Sequence, residues 1–189
     1  MAQYTQKAIV STFQHMLEEM PFEKITVSAL VRRCEISSNT FYYHYRDIYH
    51  LLEVWMRGAL SKYTEGKPPY DDLARAIKGL LKACQDNSAL VFHIFDSLSR
   101  DRLERYVYGT SWDVFYRLVC GYADCCLVPE KKLREITDFC CYSFSGLFLH
   151  FLWGRMKTDV DTLADSYANT VETFIYSALS KYRGKCASM

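Results

Sequence analysis

Apolar residues recur at helical spacing along nearly the whole chain, and no stretch alternates with the two-residue period of a strand. Ile9, Phe13, Met16, Leu17 and Met20 mark one face of a helix that must stop before Pro21. Thr26 is placed to cap a short second helix carrying Val27, Leu30, Val31 and Cys34, and Ser37 to cap a third through Tyr43. Asp47 opens a fourth with Leu51, Leu52, Trp55 and Ala59 along one side, and Gly66-Lys67-Pro68-Pro69 breaks it. Further helices are predicted over Asp71 to Gln85, Ser88 to Leu98, Leu103 to Ala123, Glu130 to Trp153 and Asp161 to Tyr182. The expected fold is therefore all-α, with about nine helices. A three-helix unit over residues 1–46 should precede a larger helical bundle over residues 47–189.

Two short helices joined by a three- or four-residue turn, each with a capping residue at its start, form a helix-turn-helix pattern. The second helix is unusual in its surface: Ser37, Ser38, Asn39, Thr40, Tyr42, Tyr43 and His44 all carry hydrogen-bonding groups. Ile36, Phe41 and Tyr45 remain to anchor it. Short hydroxyl and amide side chains suit a helix that enters a major groove, because they reach phosphates and base edges without holding the backbone away.

Charge gives this reading no help. The chain has 189 residues, 23 Lys+Arg against 22 Asp+Glu, and a net charge of +1. Residues 1–57 hold six basic and six acidic side chains, so counting alone yields no basic face. Arg32, Arg33 and Arg46 are the cations nearest the helix pair.

The residues Ile25-Thr26-Val27-Ser28-Ala29-Leu30-Val31, Cys34-Glu35-Ile36-Ser37, Thr40-Phe41-Tyr42-Tyr43-His44-Tyr45 and Leu51-Leu52 resemble the DNA-binding domain of tetracycline-repressor-type (TetR/AcrR) transcription regulators. The resemblance covers residues 5 to 55; the helical remainder is also similar to regulators of dihydroxyacetone kinase operons. It implies a homodimeric, sequence-specific regulator, a repressor modulated by an unknown small-molecule or protein effector, on a near-palindromic double-stranded operator. It further implies that Thr26 touches phosphate, that Thr40, Tyr42 and His44 hold the backbone, and that Ser38, Asn39 and Tyr43 read bases. Two departures stand out: Glu35 where the family's turn usually has glycine, and Ile48 where it usually has lysine.

His93, Trp112, Tyr116 and His150 are candidates for an effector pocket, core packing being the other reading of these residues. Phe144, Leu147 and Phe151, with Tyr167, Val171, Phe174 and Ala178 on the last helix, form two wide apolar faces expected at a two-fold dimer interface. Gly146 would permit close approach there.

The eight cysteines, including the pairs Cys125-Cys126 and Cys140-Cys141, sit within helical patterns. Adjacent cysteines on a helix point about 100° apart, so inert packing is expected and no metal. No G-x-S-x-G, H-E-x-x-H, G-x-x-x-x-G-K or G-x-G-x-x-G occurs, hence no enzyme, catalytic residue or cofactor is expected. The N-terminus lacks the basic start and apolar run of a secretory signal. The apolar run Cys140 to Trp153 is too short for a hydrocarbon core about 30 Å thick, so a cytoplasmic protein without a membrane partner is expected. The competing reading is a helix-turn-helix-shaped regulator that binds proteins, or an activator working through a partner protein without small-molecule sensing.

Overall fold

The computed structural model describes residues 2–64, 73–123 and 128–183. Among them run nine α-helices and no strand: α1 (Ala2–Glu19), α2 (Val27–Arg33), α3 (Ser38–His44), α4 (Ile48–Thr64), α5 (Leu73–Asp86), α6 (Ser88–Phe95), α7 (Arg100–Tyr122), α8 (Glu130–Trp153) and α9 (Val160–Arg183). The Gly66–Pro69 break and the Cys125-Cys126 pair lie outside the described residues.

Local chemistry sets the boundaries. Pro21, with no N–H, ends α1, and the short 3-10 turn Phe22–Lys24 follows. Phe22 is buried there, edge-on to Phe13 (6.2 Å between centroids) and to Tyr49 (5.3 Å). Thr26 and Ser37 cap α2 and α3 as expected, and Asp47 Oδ1 accepts from the His50 N–H at 2.8 Å at the start of α4. Helix α6 stops at Phe95, three residues short of expectation; Ser97 turns its hydroxyl back to the His93 carbonyl at 2.6 Å. None of the described helices is long and apolar enough to cross a membrane.

The chain divides into two compact units. The first comprises Met1–Ala59 and Asp86–Leu103, around Ile9, Phe13, Leu17, Leu30, Phe41, Tyr45, Leu51 and Leu52. Helix α6 clusters here against α1, although a division after residue 46 assigns it to the C-terminal region. The second comprises Leu60–Gln85 and Glu104–Met189, with a core that includes Leu81, Leu118, Cys140, Phe151, Ile175 and Leu179. The buried Thr137 and Ser145 hydroxyls are satisfied within α8: Thr137 donates to the Leu133 carbonyl (2.9 Å) and Ser145 to that of Cys141 (2.8 Å).

Candidate nucleic-acid interface

The turn between α2 and α3 is a complete Schellman closure. The Ile36 N–H reaches the Val31 carbonyl (3.1 Å) and the Glu35 N–H that of Arg32 (3.3 Å), while Glu35 adopts φ 54°. That is the left-handed conformation for which glycine is the default residue. The turn therefore forms with a side chain at a position where that side chain carries a steric cost.

Helix α3 begins when the Ser37 hydroxyl accepts from the Thr40 N–H (3.1 Å) and meets the Thr40 hydroxyl at 2.8 Å. Phe41 and Tyr45 are fully buried and lie 5.6 Å apart, pinning the helix from beneath. Burial holds the Tyr45 phenol above its ordinary pKa. With the inner side fixed, Ser38, Asn39, Tyr42 and Tyr43 point outward, the two tyrosines 57% and 81% exposed. Thr26 and Ser37 are also exposed, whereas Thr40 and His44 are half-buried. All eight sequence candidates thus belong to one helix pair, six of them open to solvent.

The surrounding charges are partly committed. Arg33 Nη2 bonds Glu19 Oε2 at 2.6 Å, which holds the Glu19 carboxyl below its usual range. Arg32 and Arg46 are exposed, and Ile48 is half-buried at the first turn of α4. One residue escaped the sequence reading. His50 Nδ1 accepts the Arg46 N–H at 3.2 Å while its own N–H goes to Asp47, so it fixes the chain's exit from α3. The signal was there, since Asp47-x-x-His50 has capping-box spacing with His in place of Glu or Gln.

The four effector-pocket candidates are divided between the two units. His93 belongs to the first unit, where its Nδ1 donates to the Leu17 carbonyl at 2.7 Å. Trp112 and Tyr116 stack on each other at 4.8 Å; Trp112 Nε1 donates to Asp138 (3.0 Å) and the Tyr116 hydroxyl to Glu130 (2.8 Å). That carboxylate partner pushes the Tyr116 phenol up to about 12. His150 is exposed on α8. A small apolar cavity of about 30 Å³ lies elsewhere in the second unit, lined by Leu60, Leu73, Ile77, Leu80, Phe115 and Phe144 among others.

The residues expected at the dimer face differ in their exposure. Phe144, Phe151, Tyr167 and Val171 are buried within the single chain. Leu147, Phe174 and Ala178 remain half-exposed. The outward stripe of α8 is instead Phe139, Tyr142, Gly146, His150 and Trp153, with Phe139 (54% exposed) stacked on Phe174 of α9 at 4.2 Å. Among the described residues, a Cβ added at Gly146 would meet nothing within 4 Å.

Cys84, Cys140 and Cys141 are buried free thiols, each pushed up to about 12 by burial. Among the described residues no group of three or more metal-ligating side chains comes together.

Residues 71–173 match the sequence profile TetR_C_8, described as a transcriptional regulator C-terminal region. No curated protein matches the chain. Among solved structures, the chain is similar to the dihydroxyacetone kinase operon activator DhaS, with 14% identity, 90% of this chain and 96% of that one covered, and a TM-score of 0.61. It is also similar to the TetR family repressor AlkX from Dietzia sp. strain DQ12-45-1b, with 12% identity, 91% and 95% coverage, and a TM-score of 0.50. A family match over more than half of the sequence, on an all-helical fold shared with those regulators, places this chain in the TetR family of transcriptional regulators.

Proposed function

We propose that the protein is a dimeric, sequence-specific DNA-binding repressor that acts in the cytoplasm on a near-palindromic operator. The observation that carries this reading is the construction of α3: buried Phe41 and Tyr45 beneath, with exposed Ser38, Asn39, Tyr42 and Tyr43 above. A helix that spends its apolar residues inward and shows amides, hydroxyls and phenols outward is built to meet hydrogen-bonding partners. Residues 1–46 would carry DNA recognition and residues 47–189 dimerisation and effector control. In the recognition part, Thr26 and Ser37 stand with Thr40, Tyr42 and His44 on the phosphate side, and Ser38, Asn39 and Tyr43 on the base side.

Dimerisation is assigned to α8 and α9, through Leu147, Phe174 and Ala178 together with the exposed stripe from Phe139 to Trp153. A two-fold pair of recognition helices then matches two half-sites about one helical turn apart. An effector that prefers one spacing of the pair shifts the population toward or away from DNA. The apolar cavity near Phe115 and Phe144 is the place we assign to such a ligand; at about 30 Å³ it must widen to admit more than a water or two.

Fluorescence anisotropy tests the reading with duplexes from the DNA flanking the protein's own gene and a scrambled competitor, across a salt series. Tighter binding to one native duplex at every salt supports it, and equal affinity for native and scrambled DNA overturns it. A second reading, a regulator that binds a partner protein through the same surface, is favoured by the Arg33–Glu19 pair and by apolar Ile48, which leave little free positive charge beside α3.

A further inference from the structure

Helix α3 reads Ser-Asn-Thr-Phe-Tyr-Tyr-His and contains no arginine, lysine, aspartate or glutamate. That composition matters because the four bases ask for different partners in the major groove. Guanine N7 and O6 suit the cationic donors of Arg or Lys, and the cytosine amino group suits a carboxylate. Adenine N7 and N6 suit the amide of Asn or Gln, and the thymine methyl suits an apolar surface. Only the last two partners are present on the outward face of α3. Asn39 supplies the amide, and the exposed ring of Tyr43, on the same base side, supplies the apolar surface.

Their placement is ordered. Asn39 and Tyr43 are one turn apart on the same side of the helix, a separation of about 6 Å along its axis. Two base-pair steps span about 6.8 Å, so the two side chains can address positions two base pairs apart in one half-site. The Tyr43 ring is braced edge-on by His44 at 5.1 Å, and Tyr42 by Phe41 at 5.4 Å. The nearby cations lie off α3: Arg32 and Arg33 end α2, Arg46 follows Tyr45, and Arg33 is paired with Glu19.

We infer that the protein reads A·T base pairs at the centre of each half-site, with the Asn39 amide on adenine and the Tyr43 ring against a thymine methyl. The inference rests on the DNA-reading role proposed above and adds to it the class of base pair recognised.

The test begins with selection of binding sites by the full-length protein from a random duplex library, followed by replacement of each thymine in the selected core by deoxyuridine. Deoxyuridine keeps the pairing and removes only the methyl group. The expected core is A·T, with binding weakened about fourfold at each contacted methyl, the fold-change given by burial of one methylene-sized group. Tyr43→Ala should abolish that sensitivity and Tyr43→Phe retain it, while Asn39→Ala should relax the adenine preference. Circular dichroism confirms the fold of each variant, all three changes being at exposed positions. A G·C core lost on Arg46→Ala, or equal affinity for thymine and deoxyuridine duplexes, overturns the inference and leaves DNA reading intact. A library that enriches for nothing overturns both.

Discussion

His93 Nδ1 donates to the Leu17 carbonyl oxygen at 2.7 Å, and the sequence says why that oxygen needs a donor. Its ordinary helical partner is the N–H four residues on, and residue 21 is proline. A side chain on α6 thus supplies the hydrogen bond that the backbone of α1 lacks. His93→Ala should destabilise the protein by about 1–2 kcal/mol, the cost of a part-buried carbonyl left unmet. His93→Asn should recover part of that loss. Urea unfolding of the three proteins checks the order.

Glu35 combines a left-handed backbone with a negative charge, and two substitutions separate these effects. Glu35→Gly should raise stability by about 1 kcal/mol and also tighten DNA binding. Glu35→Gln should tighten DNA binding with little change in stability. Thermal melts combined with anisotropy titrations distinguish them. If the melting temperature of Glu35→Gly falls, the strain argument fails.

The buried thiols predict a pH dependence. Cys84, Cys140 and Cys141 are held near 12 in the fold by burial, against 9.0 for a free thiol. Above pH 9 the unfolded chain gives up these protons while the folded one keeps them, so stability present below pH 9 is lost as pH rises toward 12. At pH 8 an alkylating reagent should label Cys34 and Cys120, both half-buried, well before the other three. Peptide mass spectrometry over a time course reads the order directly.

Two tyrosine-to-lysine and phenylalanine-to-alanine changes on α8 should behave oppositely. Tyr142 is 68% exposed, so Tyr142→Lys should leave the helical signal unchanged and give a monomer by analytical ultracentrifugation. Phe144 is buried, so Phe144→Ala should cost about 3–5 kcal/mol of stability whatever the oligomeric state. Gly146→Leu adds a direct check, because its Cβ meets nothing within 4 Å among the described residues, so a monomeric product would point to a close partner there.

What was legible in the sequence was periodic or chemical at short range. The caps at Thr26, Ser37 and Asp47 and the ends of α8 followed from residues a few places apart, which interact whatever the rest of the chain does. The outward face of α3 followed from its composition once Phe41 and Tyr45 were assigned inward. The sequence says least where one helix has two apolar sides. On α8 both Phe144 and Tyr142 fit a helical stripe, and which stripe is enclosed depends on neighbours distant in sequence. His93 shows the same limit from another direction. Nothing near residue 93 reveals that a proline far upstream has left a carbonyl waiting for it.

The Arg33–Glu19 pair has a kinetic side. Weak attraction to phosphates means that a regulator of this kind would hold random DNA only briefly. Such a protein would slide little along DNA and would meet its site chiefly by repeated collision from solution. Its search time would then scale inversely with copy number, and operator occupancy would track the abundance of the protein more closely than that of a strongly basic relative parked on bulk DNA.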